Sequence, residues 1–101
     1  MVLRLVQFNL GSGKRSAAES VANKVIPAIR MQPGCLRSEF FVDDAQGLYG
    51  FIVLWASRQA ADASYPVIFP ILSAAVDEAG GKGTLDIRTH EVYEPKMMAS
   101  A

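Results

Sequence analysis

GLYGFIVLWASRQAADASYPVIFPILSAAVDEAG, running from Gly47 to Gly80, decides the fold. Its first part, Leu48 to Ala56, is a continuous apolar run of strand length ending in Trp55-Ala56-Ser57. Ser57 is a capping residue, and the alanine-rich segment behind it reads as a helix. Tyr65-Pro66 and Phe69-Pro70 interrupt that helix. Proline lacks the N–H that the helical ladder needs, so a break is expected at Tyr65-Pro66, with a restart that has Pro66 in its first turn. Ile68, Ile71, Leu72, Ala75 and Val76 form the apolar face of the second piece, and Gly80-Gly81 with Gly83 stop it. The strand-helix junction is where a pocket is expected.

Upstream, Val2 to Leu10 reads as a strand apolar on both faces, closed by Gly11-Ser12-Gly13. Ser16-Ala17-Ala18-Glu19 has the pattern of a capping box, with Glu19 reaching back to free N–H groups. Ala18, Val21, Ala22, Val25 and Ile29 then share one helical face, with Pro27 expected to kink the helix. Pro33-Gly34 ends it. Cys35 to Asp43 is a second strand, joined through Asp43-Asp44-Ala45-Gln46-Gly47 to the strand at Leu48. Downstream, Thr84 to Tyr93 is the last strand. Pro95 ends the domain, and Lys96 to Ala101 reads as a flexible C-terminal tail.

Strand, helix, strand, strand, helix, strand is the ferredoxin-like βαββαβ order. The expected fold is an α+β sandwich: a four-stranded antiparallel sheet with both helices on one face. Alternation along the strands assigns the faces. Leu36, Ser38, Phe40, Val42, Leu48, Gly50, Ile52, Leu54, Leu85 and Ile87 are expected under the helices. Phe41, Tyr49, Phe51, Val53 and Trp55 are expected on the open face, beside Arg37, Glu39, Asp86, Arg88 and His90. Such an aromatic patch implies a partner, and the economical one is a second copy, sheet against sheet.

The bulk composition narrows the function classes. The chain has 101 residues, 50% hydrophobic and 20% charged, which suits one folded domain that gains by dimerising. Ten basic and ten acidic residues cancel, so no basic stripe exists to neutralise phosphates, and no nucleic-acid partner is expected. Cys35 is the only cysteine, which leaves no disulfide within the chain and no cysteine-based metal site. Met1 to Leu10 lacks the features of a signal peptide, and Pro66 and Pro70 break the best membrane-span candidate. A cytoplasmic protein with no membrane partner is expected.

The element order, with the segment Trp55-x-Ser57-x-x-Ala60-x-x-Ala63, resembles the antibiotic biosynthesis monooxygenase-like family of dimeric α/β-barrel proteins. The matching pieces are Met31-Gln32-Pro33-Gly34-Cys35, Phe40-Phe41-Val42-Asp43 and Val53 to Ala63. The resemblance covers nearly the whole domain, residues 1–95. It implies a sheet-to-sheet homodimer with a pocket for a small aromatic ligand. That family includes cofactor-independent oxygenases of polycyclic aromatic phenols, haem-degrading enzymes, small-quinol oxygenases and members of unknown activity. Its haem branch takes an axial His from the second helix, and Ser57 to Ala79 contains none. The activity that the resemblance implies is a cofactor-independent monooxygenase acting on a small aromatic or quinol-like compound. No cofactor and no metal are expected. The alternative is a non-catalytic dimeric ligand-binding or stress-response module.

Four residues are candidates for the chemistry. The Trp55 indole N–H can orient a phenolic oxygen, or the ring can simply anchor an interface. Some relatives place an amide where Asn9 stands, to polarise substrate or oxygen; Asn9 can equally bond the turn that follows it. Tyr65 sits at the proline-flanked stretch with Phe69 and can donate to a ligand or cap the core. His90, the only histidine, can act as a general base, or it can be an interface residue among Asp86 and Arg88. An enzyme pocket should gather at least two of Asn9, Tyr65, His90 and Arg88 around one cavity.

Overall fold

The computed structural model describes residues 1–95; the expected tail, 96–101, lies outside the described residues. Six elements follow one another: β1 (Val2–Asn9), α1 (Arg15–Arg30), β2 (Cys35–Asp43), β3 (Leu48–Trp55), α2 (Arg58–Ala79) and β4 (Asp86–Glu91). The four strands form one antiparallel sheet in the order β2-β3-β1-β4. Both helices pack on the same face, which gives the ferredoxin-like sandwich.

The helix ends are set by local chemistry. Ser57 caps α2, its Oγ accepting the Ala60 N–H at 3.1 Å. The helix closes on Gly80 in the left-handed region (φ 99°), with the Gly81 N–H donating to the Val76 carbonyl at 2.8 Å. Contrary to expectation, α2 does not break at Tyr65-Pro66 and runs unbroken through both prolines. Its buried residues, Ala61, Ser64, Leu72, Ala75 and Val76, keep one helical spacing throughout, so packing against the sheet outweighs the lost hydrogen bonds. The same register leaves Ile71, expected inside, at the surface. The capping box at Ser16 is also absent. Helix α1 starts at Arg15, two residues ahead of the start a Ser16 cap would set, with no side-chain cap, and Glu19 pairs with Arg15 at 3.1 Å.

The largest correction concerns the sheet faces. Tyr49, Phe51, Val53 and Trp55 lie under the helices, each 2% exposed or less, and are not on the open face. The β2–β3 connection decides this. Asp43 pairs with Leu48, so even-numbered residues of β2 stand opposite odd-numbered residues of β3: Phe40 beside Phe51, Ser38 beside Val53. A one-residue shift of register moves a whole strand's side chains to the other face. On β1 the same side presents Val2, Arg4, Val6 and Phe8. Phe8, Phe40, Tyr49 and Phe51 form an aromatic cluster in which Phe40 meets Phe51 edge-on at 4.9 Å. Each side chain of this size contributes about 1.5–3 kcal/mol by leaving water. A register shift between Cys35 and Arg37 leaves Leu36 exposed, although it was expected inside.

The open face has its own order. Leu3, Leu5, Ile52, Leu54 and Phe41 occupy its middle, with Gly50 beneath the Phe41 ring. Charged side chains frame it on both edges, Arg37 and Glu39 on β2 and Asp86 and Arg88 on β4, with His90 beside the latter. Arg37–Glu39 and Arg88–Asp86 pair within their own strands, both at 2.9 Å.

At the far end of the sheet, the buried Tyr49 hydroxyl donates to Asp44 at 3.0 Å, and Arg15 bridges Asp44 and Glu19. Burial, followed by the Asp44 carboxylate, holds the Tyr49 phenol above its ordinary value of 10.0. A raised folded value favours the native state below the unfolded pKa, and that contribution is lost as pH rises through the folded one. Tyr49→Phe is therefore expected to flatten the fall in melting temperature above pH 10, as read from thermal melts on either side of that pH.

Candidate functional site

Strand β3 delivers Trp55 to the end of the sheet, between Val2 of β1 and Cys35 of β2. Helix α2 then doubles back over it. The space between them is a cleft whose apolar wall includes Val25, Ile29, Phe51, Val53, Ile68 and Leu72. The space free of atoms in the cleft, about 410 Å³, includes the open solvent at its mouth. It is a narrow slot and not an open cavity.

Its polar groups are few. The Trp55 side chain is 1% exposed, and its Nε1 is, among the described residues, the one buried side-chain nitrogen or oxygen without a hydrogen-bond partner. An unmade hydrogen bond of this kind costs about 1–3 kcal/mol, so it calls for an explanation. Arg4 comes from β1, opposite Val53 and Thr89. Its Nε donates to Thr89 Oγ1 at 3.0 Å, its Nη1 to the Ala61 carbonyl at 2.9 Å and its Nη2 to Asp62 Oδ1 at 3.0 Å. Ser64, also buried, donates to the same Ala61 carbonyl at 2.6 Å. At the mouth the Tyr65 ring stacks on Phe69, with centroids 5.0 Å apart and planes 17° from parallel. Tyr65 is 43% exposed.

Of the four sequence candidates, Trp55 and Tyr65 line this cleft together. Asn9 and His90 do not. Asn9 lies at the opposite end of β1 from Val2, the Trp55 neighbour. Its Oδ1 accepts the Gly11 N–H at 2.9 Å and its own N–H donates to Thr84 Oγ1, so its side chain holds the turn. His90 is exposed on the open face beside Leu3, and Arg88 is on that face too, paired with Asp86. The expected gathering of Asn9, Tyr65, His90 and Arg88 is thus reduced to Tyr65 alone. Arg4 and Ser64 take the polar positions instead. Arg4 had a signal in the sequence: a lone charge on the same side as Val2, Val6 and Phe8 must find partners when that side is buried. Ser64 had none, because its inward direction depends on the unbroken helix.

Cys35 is half-buried at the edge of the core, and burial pushes its thiol up, which makes it a poor nucleophile. Among the described residues, no three of His, Cys, Asp and Glu come together as a metal site, and no helix is long and apolar enough to cross a membrane.

The model of a family described as antibiotic biosynthesis monooxygenase matches residues 1–64, from β1 through the first turns of α2. The chain belongs to that family. The matched part includes Arg4, Trp55 and Ser64. The remaining wall of the cleft, from Tyr65 onward, lies beyond it. No curated protein matches the sequence.

Solved structures extend the likeness to the whole fold of this antibiotic biosynthesis monooxygenase-family chain. A monooxygenase from the ActVA-Orf6 gene of Streptomyces coelicolor, in complex with nanaomycin D, is 16% identical with a TM-score of 0.74, covering 97% of this chain and 92% of that one. SnoaB, a cofactor-independent oxygenase from Streptomyces nogalater, is 17% identical with a TM-score of 0.67, covering 98% and 97%. NE2512 of Nitrosomonas europaea, a protein of unknown function, is 13% identical with a TM-score of 0.74, covering 98% and 95%. At these identities the likeness shows the shared fold, and the activity has to be argued from the cleft.

Proposed function

We propose that this chain is a cofactor-independent monooxygenase that oxidises a small aromatic or quinol-like compound in the cleft between sheet and α2. The observation that carries the reading is the buried, unpartnered Nε1 of Trp55, a residue lining a mostly apolar slot whose other inner polar side chains, Arg4 and Ser64, already make hydrogen bonds. A donor left idle in the protein is complementary to an oxygen on a ligand. Family membership and the likeness to SnoaB, itself a cofactor-independent oxygenase, support the reaction class.

The chemistry that fits is oxidation of a ring-flanked methylene by dioxygen through the substrate's own carbanion. Both C–H bonds break, one oxygen atom becomes the new carbonyl, and the other leaves as water with the two hydrogens. The protein binds and orients. Trp55 Nε1–H donates to the ring oxygen on which the negative charge is delocalised. Tyr65 and Phe69 offer flat faces for stacking, and the aliphatic wall excludes water from the reactive carbon. Entry of a ring requires the Tyr65–Phe69 pair to part, and the exposure of Tyr65 leaves it free to swing outward. The test is oxygen uptake by the purified protein against phenols, anthrones and quinols, without added flavin, haem or metal. Uptake that tracks the substrate supports the reading, and a flat trace across the panel overturns it.

One observation favours a second reading. Among the described residues, no carboxylate or imidazole lines the cleft, so none of those side chains is suited to take the substrate's proton. A non-catalytic ligand-binding protein would need none. Tight binding of a phenol without oxygen uptake would select that reading.

In either case we propose a homodimer, open face to open face. The supporting observation is the stripe of Leu3, Leu5, Ile52, Leu54 and Phe41 between two charged edges, the anatomy of an interface with an apolar centre and a polar rim. Ile52 is 38% exposed in the single chain. Ile52→Glu is expected to move the protein from twice the chain mass to the chain mass in light scattering, with its helical circular dichroism retained. A wild-type protein that already runs as a single chain would refute the dimer. We place the protein in the cytoplasm, where a thiol such as Cys35 stays reduced.

A further inference from the structure

The cleft is unbalanced in its hydrogen-bonding groups. A guanidinium carries five N–H donors. Thr89, Ala61 and Asp62 engage three of those of Arg4, which leaves two without a partner among the described residues. Trp55 adds a third idle donor. Against these stands one buried acceptor, the Ser64 hydroxyl, which donates its proton to the Ala61 carbonyl and keeps its lone pairs; the rest of the inner wall is hydrocarbon. The Arg4 side chain is 13% exposed, and the one carboxylate beside it, Asp62, is 60% exposed, so solvent screens the counter-charge more than the charge. Among the described residues, no carboxylate or imidazole lines the slot to ionise a neutral ligand.

We infer that the cleft selects ligands that are already anionic, and that Arg4 is its specificity-determining residue, holding an ionised phenolic or enolic oxygen together with Trp55 Nε1–H. This rests on the proposed ligand cleft but not on turnover. It also removes the difficulty of the missing base, because a site that captures the anion does not have to make it. Arg4 is well placed for the task. Its three existing bonds tie it to β4 and α2 and fix the planar fork, so little freedom is lost when an oxyanion binds.

The probe is 4-nitrophenolate, titrated at a pH where that anion is the bulk form, with 4-nitroanisole as its uncharged counterpart. Wild-type protein is expected to prefer the anion. Arg4→Gln is expected to weaken anion binding about tenfold or more while changing 4-nitroanisole little. Because Arg4→Gln also loses ties to α2, Asp62→Asn gives an independent arm at an exposed position. Removing the competing carboxylate is expected to tighten the anion about two- to fivefold. A purely structural Arg4 predicts no tightening in Asp62→Asn and equal losses for both probes in Arg4→Gln. Either result overturns the inference. The oxygenase reading is separable. Anion selectivity without oxygen uptake on the substrate panel leaves Arg4 as the selector and removes the oxygenase, whereas uptake that is indifferent to ligand charge does the reverse.

Discussion

Trp55→Phe is expected to cut substrate-dependent oxygen uptake about a hundredfold while the protein stays folded. The two halves of that expectation have separate causes. The indole N–H is the cleft's idle donor, and a donor aimed at developing charge in a water-poor site typically accounts for two to three orders of magnitude, roughly. Stability responds to opposing effects. Phenylalanine fills less space, which costs about 1–3 kcal/mol for a residue 1% exposed. It also removes a buried N–H that has no partner, which returns about 1–3 kcal/mol. The net change in the urea midpoint should be small. A variant that loses stability and keeps its turnover would make Trp55 a core anchor and nothing more.

Gly50→Ala is expected to have the larger effect on the fold, about 3 kcal/mol or more of lost stability. Gly50 lies in the central strand β3, paired with Gln7 on one side and Phe41 on the other. A Cβ at this position would collide with the Val6 carbonyl of β1 and come within 2.7 Å and 2.8 Å of the Phe41 ring. The ring can turn, but the carbonyl belongs to a strand that holds β4 in the sheet and supplies Arg4 and Val6 to the cleft. The cause is space, since no positive φ is involved at this glycine. Urea unfolding followed by circular dichroism reads the result, and a wild-type midpoint would show that β1 and β3 do not approach as closely as this. The same variant bears on the dimer, because the Phe41 ring over Gly50 sits in the middle of the open face.

Much of this was legible from residue order. The six elements follow from apolar runs, glycine stops and the Ser57 cap, and β2 starts and ends where expected. Trp55 stands out as a strand end at a helix start and Tyr65 as a residue at an expected helix break; both line the cleft, although the break is absent. Face assignment was not legible. Strand β3 is apolar at nearly every position, so alternation has no contrast to work with, and the loop between Asp43 and Leu48 decides which set turns inward. That choice moved four large side chains from an expected interface into the core and left aliphatic residues outside. Pro66 and Pro70 misled in the same manner. Their local preference is to end a helix, whereas the burial of Ala61, Ser64, Leu72 and Ala75 along one face carries α2 through them.

By itself, then, the sequence determined the order of strands and helices, the family and the presence of an indole at the junction of β3 and α2, because these depend on near-neighbour chemistry along the chain. Only the tertiary structure decided which groups share the cleft with that indole. It turned Asn9 and His90 away and brought Arg4, eighty-five positions from Thr89, into contact with it and with the Ala61 carbonyl. The physical reason is that strand register and helix continuity are settled by burial and pairing summed over the whole sheet, and no local stretch of sequence carries that sum.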